Sequence, residues 1–77
     1  MRTWLREIRL SQSLTQEDIA VASGIKRPYY TAIENGDRQP SVKVAKKIAN
    51  KMKFDWVIFF DDYSNESTLR NGRESNA

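Results

Sequence analysis

Start and stop signals for two short helices lie close together between residues 15 and 36, and this feature restricts the possible folds most. Thr15, with Asp18 three residues later, predicts a capped helix start, and Gly24 predicts a left-handed helix end. A second helix is predicted to begin near Pro28, which suits a first helical turn, and to end at Gly36. Only about four residues around Gly24 separate the two helices, so the connection is a tight turn for which glycine is needed.

A connection of this length is typical of a helix-turn-helix motif. Five apolar positions are spaced so that the two helices can cross and share one core: Ile19, Ala20, Ile25, Tyr30 and Ile33. Ala20 must be small, because the second of the two helices crosses close above it. A plain helical hairpin in a bundle has the same spacing, so the pattern alone leaves both arrangements open.

Three further helices and no strands are predicted around this pair. The first covers about residues 3–12, with Thr3 as its cap. Because it precedes a proline, Arg27 is expected in the cap position just outside the third helix. Ser41 is expected to cap "VKVAKKIANKM", and Asp55 to cap "WVIFF". The apolar residues of the fourth helix are predicted to form its buried face: Val42, Ala45, Ile48, Ala49 and Met52.

Composition excludes several classes of function. The 77 residues include no cysteine and no histidine, which excludes disulfides, common zinc sites and catalysis by a histidine base or a cysteine nucleophile. We therefore expect no enzyme and no metal. The longest apolar run, "WVIFF", is too short to cross a bilayer, and "MRTWLREIRL" does not have the pattern of a signal peptide. The simplest interpretation is a reduced, cytoplasmic protein with no membrane association.

Charge divides the chain into two regions. Residues 1–60 hold eleven Lys or Arg and six Asp or Glu, a net charge of +5, which favours a polyanionic partner. Residues 61–77 are polar and carry a net charge of −2. They offer too little apolar surface to offset the entropy of ordering. We therefore expect one folded domain over residues 1–60 and a disordered tail over 61–77.

Four segments together resemble one known family. "LTQEDIAVASGI", "YYTAIENG", "PSVKVAKKIA" and "FDWVIFF" occur in the order found in lambda-repressor/Cro-like regulators of bacteria and phages, also called xenobiotic-response-element-type helix-turn-helix proteins. The resemblance covers roughly residues 1–60. It implies a compact all-α domain of five helices that binds double-stranded operator DNA as a homodimer, with its third helix in the major groove and no cofactor.

The resemblance also implies a set of DNA-contacting residues. Arg27 is the best candidate to read a base, because a guanidinium can donate two hydrogen bonds to guanine; contact with phosphate alone is the alternative. Gln16 matches a glutamine that bonds a phosphate and braces the third helix. Tyr29 is expected to point outward and Tyr30 into the core. The base-contact candidates are Arg27, Pro28, Tyr29, Thr31 and Ala32. The phosphate-contact candidates are Thr15, Gln16, Lys26, Asn35, Arg38 and Lys43.

Structural roles are implied for other residues. Arg9 and Glu34 match a family pair that forms a partly buried salt bridge between the first and third helices. Ser13 stands where the family often has a glycine that ends the first helix. "WVIFF" holds too many large apolar side chains for one short helix to bury, so part of it is expected to form a dimer patch. The candidates for that patch are Trp56, Phe59 and Phe60.

These expectations converge on a transcriptional regulator. The resemblance favours a repressor that acts as a homodimer on a palindromic operator, such as the regulator of a phage or another mobile element. A second interpretation keeps the same fold but makes it a protein–protein module of the antitoxin or antirepressor type. Such a module would hold a protein partner through "WVIFF" or the tail, and DNA binding would be secondary.

Overall fold

The computed structural model describes residues 1–61, and these residues form five helices and no strand. The helices are α1 (Thr3–Ser11), α2 (Gln16–Ser23), α3 (Arg27–Asn35), α4 (Val42–Met52) and a single turn, α5, over residues 58–61. The predicted compact all-α fold of five helices is thus confirmed. The disordered tail expected over 61–77 lies outside the described residues, except for Asp61, which is in α5.

Local signals in the sequence define most helix ends. Thr15 and Asp18 form a reciprocal capping box, in which the Asp18 N–H donates to the Thr15 hydroxyl at 3.0 Å and the Thr15 N–H donates to the Asp18 carboxylate at 2.9 Å. Gly24 and Gly36 end α2 and α3 in the left-handed conformation, with φ of 70° and 86°. Ser41 caps α4, as predicted.

Three local predictions are wrong. Arg2 and not Thr3 precedes α1, because the Arg2 carbonyl already accepts the N–H groups of Leu5 and Arg6. Arg27 is the first residue of α3 and Lys26 takes the cap position with an extended backbone, so the proline lies one residue further into the helix than predicted. Val42 is 48% exposed, since it lies in the first turn of α4, at the edge of the buried stripe.

The core lies where α2 packs between α3 and α4. Its fully buried side chains come from every helix: Leu5, Ile19, Ala20, Tyr30, Ile33, Ala45, Ile48, Met52 and Phe59. The turn after α2 is tight, since the Ile25 N–H returns to the Ala20 carbonyl at 3.0 Å. Ala20 is 1% exposed, so a larger side chain has no room there.

Phe59 belongs to this core, so its assignment to a dimer patch is wrong. Its ring centre lies 5.3 Å from that of Trp4 and 5.7 Å from that of Phe54, and none of its surface is exposed. The Arg2 guanidinium covers the ring at 5.5 Å. A side chain enclosed within its own subunit has no surface to offer a partner.

Candidate nucleic-acid interface

One face of α3 is directed away from the core. Tyr30, Ile33 and Glu34 form the buried face, as expected from the helical period. Away from that face lie Pro28 and Asn35, which are exposed, and Thr31 and Ala32, which are partly exposed, while Arg27 is exposed at the N-terminal end of the helix. Four of these five side chains are uncharged. The outward face is therefore narrow, mainly neutral and basic at its N-terminal end.

Gln16 fixes the first flank of this face. Its Nε2 donates to Glu34 Oε1 at 2.9 Å, and its Oε1 accepts from the Thr31 hydroxyl at 2.7 Å. The amide thus ties the first turn of α2 to two successive turns of α3. Thr15 stands beside it, exposed, with its hydroxyl engaged in the capping box. Gln16, predicted to contact phosphate, thus lies against α3, and Thr15, with the same predicted role, precedes it in the chain.

The Glu34 carboxylate is the centre of the junction between α1, α2 and α3. Arg9 donates to it through Nε at 2.8 Å and Nη2 at 3.1 Å, so the two residues expected to pair form a two-pronged ion pair. The Tyr30 hydroxyl donates at 2.9 Å. Burial alone raises the pKa of Glu34, but hydrogen bonds from Arg9, Gln16 and Tyr30 outweigh it and hold that pKa below its ordinary value.

Arg38 forms the second flank. Its guanidinium lies 5.1 Å from the centre of the Tyr29 ring, at cation–π distance. Tyr29 is only partly exposed and packs against the core, so it lies at the side of α3 and not with Pro28 and Thr31 on the outward face. The structure thus joins a predicted base-contact residue to a predicted phosphate-contact residue at this flank.

The remaining candidates are exposed. Lys26 caps α3 and Arg27 follows it, so two cations stand at the N-terminal end of the outward face. Asn35 ends the same face, three to four residues beyond Thr31 and Ala32. Lys43 lies in the first turn of α4, beyond the loop that holds Arg38. Together these side chains extend the basic and polar surface along and beyond α3.

Arg2 also contacts the end of α3 and the loop after it, and the sequence did not predict this role. Its backbone N–H donates to the Glu34 carbonyl at 2.8 Å, and its guanidinium donates to the carbonyls of Ile33 and Arg38. Each of these partners stands more than thirty positions from Arg2 in the sequence. Because no local pattern marks such a contact, only the folded chain reveals it.

Residues 56–60 expose apolar side chains other than those predicted for a dimer patch. Val57 and Ile58 are 39% and 38% exposed, whereas Trp56 and Phe60 are partly buried. The ring of Trp56 meets Phe60 at 5.9 Å and the Lys46 ammonium at 5.1 Å. We call Trp56, Val57, Ile58 and Phe60 the C-terminal patch.

Two further observations concern metal binding and membrane-spanning helices. Within residues 1–61, no three side chains of the types that bind metals lie close enough together to hold an ion. The same residues contain no helix that is long and apolar enough to cross a membrane.

Comparison with known proteins gives a consistent picture. A helix-turn-helix family profile matches residues 5–59. The chain is 55% identical over 75 residues to the uncharacterized HTH-type transcriptional regulator YqaF of Bacillus subtilis, and the match covers 97% of each chain. It is 36% identical over 64 residues to an uncharacterized HTH-type transcriptional regulator of Archaeoglobus fulgidus, covering 80% of this chain and 91% of the relative. No solved structure matches significantly.

Proposed function

The chain belongs to the lambda-repressor/Cro-like helix-turn-helix family of transcriptional regulators, and on that premise we propose that it is a repressor that binds a palindromic operator as a homodimer. DNA binding in transcription regulation follows from the family. In the finer proposal, residues 1–60 form the DNA-binding domain and α3 enters the major groove. Such a regulator works in the cytoplasm, where the operator DNA lies.

The observation that carries this proposal is the division of α3 into two faces. Tyr30, Ile33 and Glu34 hold the helix in the fold, and the opposite face is left to solvent. Gln16 on one flank and Arg38 on the other supply polar groups on both sides of this face, where the phosphate backbones that border a groove would lie. An α-helix with this arrangement fits the major groove, which is wide enough to admit it.

Within this proposal the side chains have distinct tasks. Arg27 reads a guanine through two hydrogen bonds, and Thr31 and Ala32 contact thymine methyl groups. Pro28 and Tyr29 bound the surface that faces the bases. The phosphate contacts come from Thr15, Gln16, Lys26, Asn35, Arg38 and Lys43. Because most of the outward face is neutral, charge supplies affinity mainly from its ends and flanks.

Selection of bound sequences from random duplex DNA tests the proposal directly. We expect a palindromic site whose half-sites lie about 34–36 Å apart, bound at least ~10³-fold more tightly than random DNA. Affinity should fall steeply with salt, because phosphate contacts release counterions. A flat salt response with no sequence preference would refute the proposal.

Lys26 and Arg27 provide a matched pair of variants, since they are adjacent, exposed and equally charged. Arg27→Ala should cost about 1–3 kcal/mol on the selected site and relax the preference at one base pair. Lys26→Ala should weaken binding to all sequences similarly and reduce the salt slope by about 1. If the two variants behave alike, Arg27 contacts phosphate only.

The exposed C-terminal patch supports the homodimer. Ile58→Asp should shift the chain to monomer in sedimentation equilibrium and weaken operator binding, because a charge would be buried at the interface. Val21→Asp is the control, since Val21 is 69% exposed on α2 and the same charge change there should leave assembly intact. An unchanged dimer in Ile58→Asp would remove the C-terminal patch from the interface.

The same exposed patch also favours a second candidate function, a module that binds a protein partner. In that case a stoichiometric partner should co-purify with the chain, and Ile58→Asp should release it. Arg27→Ala would then have no effect on regulation in cells. A regulatory defect in Arg27→Ala, with no co-purifying partner, would leave the DNA-binding repressor as the function.

A further inference from the structure

Arg2 satisfies the backbone carbonyls at the C-terminal end of α3. The last carbonyls of any helix lack partners within the helix, and a cation there interacts favourably with the helix dipole. In this chain the Arg2 N–H bonds the Glu34 carbonyl and the Arg2 guanidinium bonds the Ile33 carbonyl. Arg2, which precedes α1, therefore caps the C-terminal end of α3, the helix proposed to enter the major groove.

The same guanidinium holds the loop after α3. It donates to the Arg38 carbonyl at 3.1 Å and to Oε1 of Gln39. The Arg38 side chain lies against Tyr29, so Arg38 is held both through its backbone and through its guanidinium. These two anchors together set the position from which Arg38 can meet a phosphate.

The contacts continue from the loop to the C-terminal segment. Gln39 Nε2 lies 3.5 Å from the Phe59 carbonyl, to which it donates, and the Arg2 guanidinium lies 5.5 Å from the Phe59 ring centre. Phe59 stands between Ile58 and Phe60, which belong to the C-terminal patch. A continuous series of contacts thus joins α5 to the end of α3 through Gln39 and Arg2.

We propose that Arg2 is a positioning residue for DNA binding, which fixes the end of α3 and Arg38 without itself contacting phosphate. This inference rests on the proposed function. Its guanidinium is directed at protein carbonyls and the Gln39 amide, so its charge serves the fold locally. Removing Arg2 should therefore weaken the contact made by Arg38 and not delete a contact of its own.

Operator binding by Arg2→Ala and Arg6→Ala tests the proposal, since both remove one positive charge and Arg6 is exposed on α1. We expect Arg2→Ala to bind the selected operator about tenfold more weakly and Arg6→Ala to bind nearly as the unaltered chain. Relative to Arg6→Ala, the salt slope of Arg2→Ala can fall only through the weakened Arg38 contact, so the fall should not exceed that of Arg38→Ala. In the Arg38→Ala background, Arg2→Ala should leave the slope unchanged; a further reduction of about 0.9 there would make Arg2 a phosphate contact and overturn the proposal.

A double-mutant cycle with Arg38→Ala separates positioning from a general structural effect. If Arg2 positions Arg38, then Arg38→Ala should cost less in the Arg2→Ala background than alone. Strictly additive losses would overturn the proposal. Arg2→Lys keeps the charge but cannot reach several acceptors with one planar group, so it should reproduce most of the loss while keeping the chain folded.

Amide exchange in the absence of DNA distinguishes failure of this inference from failure of the proposed function. The N–H groups of Asp37 and Arg38 both bond the Ala32 carbonyl, at 2.8 and 3.2 Å. Arg2→Ala should accelerate their exchange more than exchange in α2. If the unaltered chain binds no DNA, the proposed function fails and so does the DNA role of Arg2. Unchanged exchange at Asp37 and Arg38 would overturn the positioning role by itself.

Discussion

Replacing Glu34 by alanine is the most direct test of the junction between α1, α2 and α3. Glu34 is 1% exposed, and its carboxylate accepts four hydrogen bonds, two from Arg9 and one each from Gln16 and Tyr30. Without it, the Arg9 guanidinium remains largely buried with an uncompensated charge. Breaking a buried pair in this way costs about 3–5 kcal/mol.

This loss is large for a domain of this size. Total stabilities are about 5–15 kcal/mol, so Glu34→Ala should remove a large part of the free energy of unfolding. A loss of ~4 kcal/mol corresponds to a fall in melting temperature of roughly 15–30 °C. Thermal and urea unfolding followed by circular dichroism measure it. Lys51→Ala is the control, since an exposed lysine should change stability by no more than ~0.5 kcal/mol.

Two results would refute the reasoning about Glu34. Equal melting temperatures for Glu34→Ala and Lys51→Ala would show that the buried pair is not important for stability. In addition, Glu34→Ala should cost less when Arg9 is already replaced by methionine, because no buried charge is then left unpaired. An undiminished cost in that background would show that the loss has another origin.

The same carboxylate predicts the acid limit of the fold. The pKa of Glu34 is lower in the folded chain than its ordinary value of 4.5. A depressed pKa contributes stability that is present above the unfolded value and is lost as the pH falls through the folded value. Stability should therefore decline below about pH 4.5. Glu34→Gln should be less stable at neutral pH and should lose less on acidification.

The remaining predictions concern single positions. Burial and the adjacent Glu34 carboxylate raise the pKa of Tyr30 above its ordinary value of 10.0, so stability should fall as the pH rises above that value, by at most about 1.4 kcal/mol per pH unit. Urea unfolding of Tyr30→Phe should show a shallower alkaline decline, and an equal decline would exclude Tyr30 as its source. Ser13 and Lys53 have positive φ of 58° and 64°, so Ser13→Gly and Lys53→Gly should each add about 0.5–1 kcal/mol in urea unfolding; a loss at either would show that its side chain compensates for the strain. The buried Ser23 hydroxyl has no hydrogen-bond partner within the described residues, so Ser23→Ala should raise the free energy of unfolding by about 1 kcal/mol, and a decrease would reveal a missing partner.

Features that depend on neighbouring residues were predictable from the sequence. The capping box of Thr15 and Asp18 and the left-handed ends at Gly24 and Gly36 are set by bonds within a few positions, so the pattern determines them. The inward Tyr30 followed from the helical period and the resemblance. Together these features were enough to predict the two crossing helices.

Features that depend on distant contacts were not predictable. Gln12 donates to the Met52 carbonyl at 2.6 Å, and Arg2 bonds the end of α3; neither pairing leaves a local pattern. The choice of Phe59 for the core, with Ile58 left exposed, also escaped prediction. A single helical turn is too short to show a period, so only the space beside Trp4 decides which side chain enters.

The interleaving of roles along α3 has a consequence for how this protein can change over evolutionary time. In the proposed complex Pro28 and Ala32 face the bases and lie outside the core, so mutations there can alter the preferred operator at little expense to folding. Thr31 is different, because its hydroxyl donates to Gln16 and, in the proposed complex, its position also faces the bases. Substitutions at Pro28 and Ala32 can therefore change the preferred operator with little effect on the fold. A substitution at Thr31 that changes the operator would also break the hydrogen bond to Gln16 and weaken the contact between α2 and α3.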